Sequence, residues 1–243
     1  AAAAIWGIIS FKGNAVKERA ELFISKRSDY AALLDSVKPR IKHHFAFDLY
    51  AERLNLKETF KAGHYIVEDG MSVIDIVRMF KLGLQTPVNV TMNNVKTPAY
   101  LAGKLAKQID ADSTELVEVL NSKELAKELG FDNPLTMFSI FIPNTYEMWW
   151  NTSMDKFMQR MQKENKAFWT EARTQKAEAL GMTPVEVVTL ASIVAEETAY
   201  VPEMPKVAGM YIRRLQIGMP LQADPTVKFA VGDFSLRRIY HKH

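Results

Sequence analysis

The stretch that decides the reading is Thr183–Glu197, TPVEVVTLASIVAEE. Its head has the form of a capping box. Thr183 is predicted as the N-cap, Pro184 takes the first helical position, where a missing N–H costs nothing, and Glu186 reaches back to the cap. Fixing the start fixes the phase of the helix. Leu190, Ile193, Val194 and Glu197 then fall at i, i+3, i+4 and i+7, whereas Glu196 shares a more polar face with Thr189 and Ser192. A carboxylate thus continues an apolar stripe. Burial disfavours its charged form, and so does the negative end of the helix dipole, near which it lies. Periodicity marks Glu197 as a candidate general acid that keeps its proton near neutrality. The same residues also allow a carboxylate pointing outward where the helix frays, or one paired with Arg213 or Arg214.

Upstream of this helix runs a long helical pattern from about Thr152 to Leu180, with Gly181 as a C-terminal stop. Phe157, Met161, Phe168 and Ala172 lie near one stripe of it and are predicted as core. A stretch rich in turn formers, roughly Asp132–Asn144, precedes this pattern. Before it, a short β-like run leads through a polar turn into an amphipathic helix three times. The runs are Glu21–Ser25 before a helix over Tyr30–Val37, His64–Val67 before Val73–Phe80, and Val88–Met92 before a helix opened by Thr97 and Pro98. Ser72 caps the second helix with Asp75 at its third position. In the third, Leu101, Leu105 and Ile109 form one buried stripe. Small units of this kind pack into α+β modules. The expected fold class is α+β: N-terminal β-α modules over residues 16–135, then a mainly helical domain over 136–243.

With 243 residues and 48% hydrophobic content, the chain can bury a sizeable core. A formal net charge of +3, with Lys and Arg spread among acids, leaves no nucleic-acid footprint. No cysteine is present, so disulfides and thiolate chemistry are excluded. The five histidines contain no HExxH pair, and no metal and no cofactor are expected. Ser192 has no GxSxG setting, and no Gly-rich phosphate loop occurs. The opening run AAAAIWGIISF is apolar but shorter than the roughly 20 residues that span a bilayer. On its own it reads equally as the end of a membrane anchor, over residues 1–15, or as an ordinary first element.

Three segments in fixed order, LASIVAEET (190–198), KVAGMYIRRL (206–215) and GMPLQADPTV (218–227), resemble the signature of the MltG-type (YceG-like) endolytic murein transglycosylases. FIPNTY (141–146) resembles that family's segment upstream of the catalytic helix, so the likeness covers roughly 138–235. AGHYIVEDGMSVIDIVRMF resembles the family's LysM-like subdomain, here at about 60–92, a module associated with glycan binding. Two positions depart from the pattern: Ala195 stands where many relatives carry a second acid, and Arg213 where they carry Asn. The family also continues into an SPYNTY…GLPPGPI stretch that shapes the cleft, which suggests that the catalytic domain extends past His243.

The resemblance implies a single-pass protein of the bacterial inner membrane, anchored through its N-terminus, with its enzyme domain in the periplasm. Its expected activity is non-hydrolytic cleavage of peptidoglycan between N-acetylmuramic acid and N-acetylglucosamine, within strands, leaving 1,6-anhydro ends. Partners would be peptidoglycan glycan strands and cell-wall synthesis proteins whose nascent strands it terminates. Glu197 matches the catalytic glutamate. Asn144, Tyr146, Arg214, Gln222, Asp224 and Thr226 are the candidates for binding substrate, and Tyr146 and the Trp149-Trp150 pair for stacking on sugar rings, although buried tryptophans are more often core. Asp224, ahead of Pro225, is expected in extended or turn backbone, where capping through an Asx-turn competes with chemistry. If Asp224 acts with water, the enzyme is a muramidase-type hydrolase; if Glu197 is inert, the chain is a peptidoglycan-binding scaffold.

Overall fold

A computed structural model of the protein describes residues 10–93, 95–236 and 238–239. Most of the candidate anchor, residues 1–9, lies outside the described residues. The described chain divides into two compact units, one running to Leu125 and including Pro143–Arg160, the other comprising Ala126–Ile142 and everything from Met161.

The first unit begins with β1 (Ala20–Ile24), α1 (Tyr30–Val37), α2 (His44–Arg53), α3 (Leu56–Thr59), β2 (Gly63–Val67) and α4 (Val73–Leu82). β1 and β2 pair antiparallel, with Ala20 opposite Val67 and Ile24 opposite Gly63. Leu33, Val37, Phe47, Ile76 and Phe80 from the helices join Leu22, Ile24 and Tyr65 from the strands in one buried cluster. α4 is built as its sequence predicts. Ser72 accepts from the Asp75 N–H, and the Asp75 carboxylate accepts from the Ser72 N–H and hydroxyl. These bonds hold the Asp75 carboxyl below its usual range.

β3 (Val88–Met92), α5 (Pro98–Leu105) and α6 (Ser113–Leu120) follow, and α7 (Lys123–Glu128) runs across the boundary between units. Beyond the short α8 (Pro134–Met137), β4 (Asn144–Met148) returns to the first unit and pairs antiparallel with β3, from Val88 opposite Met148 to Met92 opposite Asn144. β4 lies beyond residue 136, where the mainly helical domain is expected to begin, and belongs to the first unit. Residues 60–92 are not a self-contained sheet, because β2 pairs with β1 and β3 with β4.

The long pattern from Thr152 to Leu180 is two helices, α9 (Met154–Phe168) and α10 (Glu171–Ala179). The break falls at Trp169-Thr170, where the Thr170 side chain caps the second helix by accepting from the Arg173 N–H. A local cap overrides the longer periodicity, so Phe157 and Met161 are buried while Ala172 is exposed. α11 (Pro184–Glu197), α12 (Met204–Gln216) and α13 (Asp224–Val231) complete the second unit. Leu190 and Val194 of α11, Tyr211 of α12 and Ala223 form their small common core. The architecture is mostly helical with two small antiparallel sheets, consistent with α+β. Among the described residues no single helix is long and apolar enough to cross a membrane.

Candidate active site

α11 starts as its sequence requires. Thr183 Oγ1 accepts from the Glu186 N–H at 3.3 Å, and the Glu186 carboxylate accepts from the Thr183 N–H at 2.7 Å. The phase set there buries Leu190 and Val194, as expected. One turn later the stripe fails. Glu197, the last helical residue, is exposed instead of buried. The apolar cover from Tyr211 and Ala223 meets Leu190 and Val194, but at the height of Glu197 the neighbouring helix offers a polar atom, the Tyr211 hydroxyl. That hydroxyl donates to Glu197 Oε1 at 3.0 Å. The desolvation expected from periodicity is therefore absent, and one directed hydrogen bond stands in its place.

Tyr211 is a site residue that the sequence does not single out. Its ring is buried, at 3% exposure, and it belongs to the apolar face of α12 with Val207, Ala208 and Ile212. That periodicity marks it as core but gives no sign of the partner of its hydroxyl. Burial, then the hydrogen bond to Glu197 and that residue's charge, push the phenol above its ordinary value; Asp224 adds to this and Arg214 opposes it.

Arg214, half-buried, donates through Nη1 to the Leu221 carbonyl, and its guanidinium lies 5.8 Å from the Tyr211 ring centre. It ties α12 to the turn that carries Gln222. Gln222 is exposed with φ of 51°, a left-handed conformation that costs a non-glycine residue energy and that clusters at functional sites. Asp224 is not in the extended or Asx-turn setting expected of it. It is the first residue of α13, with Ala223 as N-cap, and its exposed carboxylate sits in the favourable first turn. Thr226 turns its hydroxyl back to the Ala223 carbonyl at 2.7 Å, closing the start of the same helix.

Glu197, Arg214, Gln222, Asp224 and Thr226 thus share the second unit. Asn144 and Tyr146 belong to the first, on β4 opposite Met92 and Val90. Tyr146 is buried, at 3% exposure, so its ring presents no face to a ligand, whereas Trp149 is half exposed. Trp149 lines a cleft of about 330 Å³ in that unit, together with Glu147, Thr152, Lys156 and Arg160. Among the described residues no three His, Asp or Glu side chains converge as a metal site requires.

Fold and site together define an α+β protein that presents a carboxylate, hydrogen-bonded to the hydroxyl of a buried tyrosine, at the end of a helix. The YceG-like family model matches residues 23–243, and the chain belongs to that family. It is 23% identical to the endolytic murein transglycosylase of Bacillus subtilis (strain 168), over 92% of this chain and 66% of that protein. It is 22% identical to the endolytic murein transglycosylase of Streptococcus pneumoniae serotype 2 (strain D39 / NCTC 7466), over 79% of this chain and 39% of that protein. The chain thus spans less than two thirds of the length of either relative. The crystal structure of a yceG-like protein from Listeria monocytogenes superposes with a TM-score of 0.58 at 19% identity, covering 92% of this chain and 79% of that one. That likeness concerns the fold.

Proposed function

We propose that the chain is part of an endolytic peptidoglycan lytic transglycosylase, with Glu197 as its one acid/base group. The observation that carries this reading is the placement of Glu197. Its carboxylate stands at the open C-terminal end of α11, fixed through one oxygen by Tyr211, with the rest of the group accessible. Family membership and relatives bearing that activity support it. A glycan lying across this face excludes water from the carboxylate, and a desolvated carboxyl favours its proton-bearing form. Glu197 then protonates the leaving O4 of N-acetylglucosamine. As a carboxylate it next takes the proton from the muramic acid O6 while O6 attacks C1, which closes a 1,6-anhydro ring and leaves Glu197 protonated again. An intramolecular nucleophile needs neither a bound water nor a second carboxylate, and its proximity contributes several kcal/mol to lowering the barrier. On this reading the enzyme is anchored in the bacterial inner membrane, acts in the periplasm beside cell-wall synthesis proteins and terminates nascent strands.

A hydrolase reading has one specific support. The charge of Asp224 acts on the Tyr211 phenol beside that of Glu197, so two carboxylates influence the same hydroxyl. Mass spectrometry of digested murein distinguishes the outcomes. Anhydromuramic ends are expected; reducing ends would establish water as the nucleophile, and no products would leave a binding scaffold. Glu197→Gln is expected to abolish anhydro-product formation, and near-parent activity in that variant would overturn the site assignment.

A further inference from the structure

We propose that Tyr211 is a positioning residue that clamps the Glu197 side chain and steadies its charged form as the proton leaves for the substrate. The inference rests on the reading of Glu197 as the acid/base group and adds a component to it. The reaction runs through Glu197 twice, once as acid and once as carboxylate, so the group must hold one position in both states. A carboxylate on the last residue of a helix has freedom that catalysis cannot use. Here one of its oxygens is held at 3.0 Å by a hydroxyl whose ring is immobilised in the core with Leu190, Val194 and Ala223. Only Oε1 takes part in this bond, which leaves the second oxygen for the sugar.

The hydroxyl is also a dependable donor. Its raised pKa keeps it protonated through neutral and mildly alkaline pH. The Arg214 guanidinium, 5.8 Å from the ring centre, is already engaged with the Leu221 carbonyl. Asp224, the other charged group acting on the phenol, stands at the head of α13 as an acceptor only. When Glu197 gives up its proton, the charge that appears on it meets this donor without rearrangement, as stabilisation of a developing charge requires.

The test compares Tyr211→Phe, which keeps the ring and deletes the donor, with Glu197→Gln and the double variant, all in the full chain on purified murein. A hydrogen bond to a charged group corresponds to a loss of roughly 10- to 100-fold in kcat. Tyr211→Phe is expected to show that loss with KM nearly unchanged, and to add nothing to Glu197→Gln. A readout free of turnover follows the Glu197 carboxyl carbon by NMR at neutral pH. Without the donor its resonance should shift, as the loss of a hydrogen bond to Oε1 requires. Parent-like kcat and an unmoved resonance in Tyr211→Phe, with Glu197→Gln inactive, would overturn the clamp and leave the acid in place. An active Glu197→Gln would instead remove the reading on which the clamp depends. Should Tyr211→Phe unfold, the hydroxyl serves the fold and not the acid, and the proposal is overturned.

Discussion

Replacing Leu190 by alanine tests whether the site stands on the small core beneath it. Leu190 is 7% exposed and shares a cluster with Val194, Tyr211 and Ala223, ringed by half-buried residues including Ile193, Val207 and Leu221. The substitution removes three carbons; at ~0.8 kcal/mol each they come to about 2.4 kcal/mol. This falls near the lower end of the roughly 2–5 kcal/mol seen for buried leucines, as suits a small cluster that can partly collapse. For a chain of this size ~2–4 °C accompanies each kcal/mol, so the melting temperature should fall by about 5–10 °C. Thermal unfolding followed by circular dichroism measures this, with Ser192→Ala as the control. Ser192 lies on the same helix, but exposed, with its hydroxyl on the Thr189 carbonyl, and it should change stability by less than about 0.5 kcal/mol. If Leu190→Ala cost no more than this control, the α11 face assigned here would be wrong, and with it the packing that presents Tyr211 to Glu197.

Three further outcomes are expected. Thr183→Ala deletes a side-chain cap and should destabilise the protein by about 1 kcal/mol, measured by urea unfolding. The Thr183 N–H and hydroxyl, in that order, hold the Glu186 carboxyl below its usual range, so the stabilisation it gives is present above the ordinary glutamate value and lost as pH falls through the lowered one. Burial pushes the Tyr65 hydroxyl, which donates to the Lys61 carbonyl at 2.7 Å, up to about 12. An unfolded tyrosine ionises near pH ~10, so stability should decline as pH rises from there towards the folded value, and Tyr65→Phe should flatten the decline.

Some features need only the chain's own neighbours, and these are legible in sequence. The boxes at Ser72 and Thr183 and the cap at Thr97 close within three residues, so each helix start follows from its local side chains. The strands at Gly63–Val67 and Val88–Met92 were equally local in their signal. Their pairing was not, since nothing near Val88 announces Met148 as its partner. The strand Asn144–Met148 hides at the end of a stretch that reads as turns, and the Thr170 cap hides inside a longer apolar period.

The site divides in the same way. That an acid follows Leu190 and Val194 at helical spacing is legible in the chain alone, because periodicity is a property of one element. Whether that acid is buried depends on how far another helix covers it, which is visible only once the helices are packed. Tyr211 and Ala223 shelter the turn holding Leu190 and Val194, and at Glu197 a hydroxyl takes over from apolar surface. Solvation is a property of neighbours brought from elsewhere in the chain, and spacing within one helix carries no information about them.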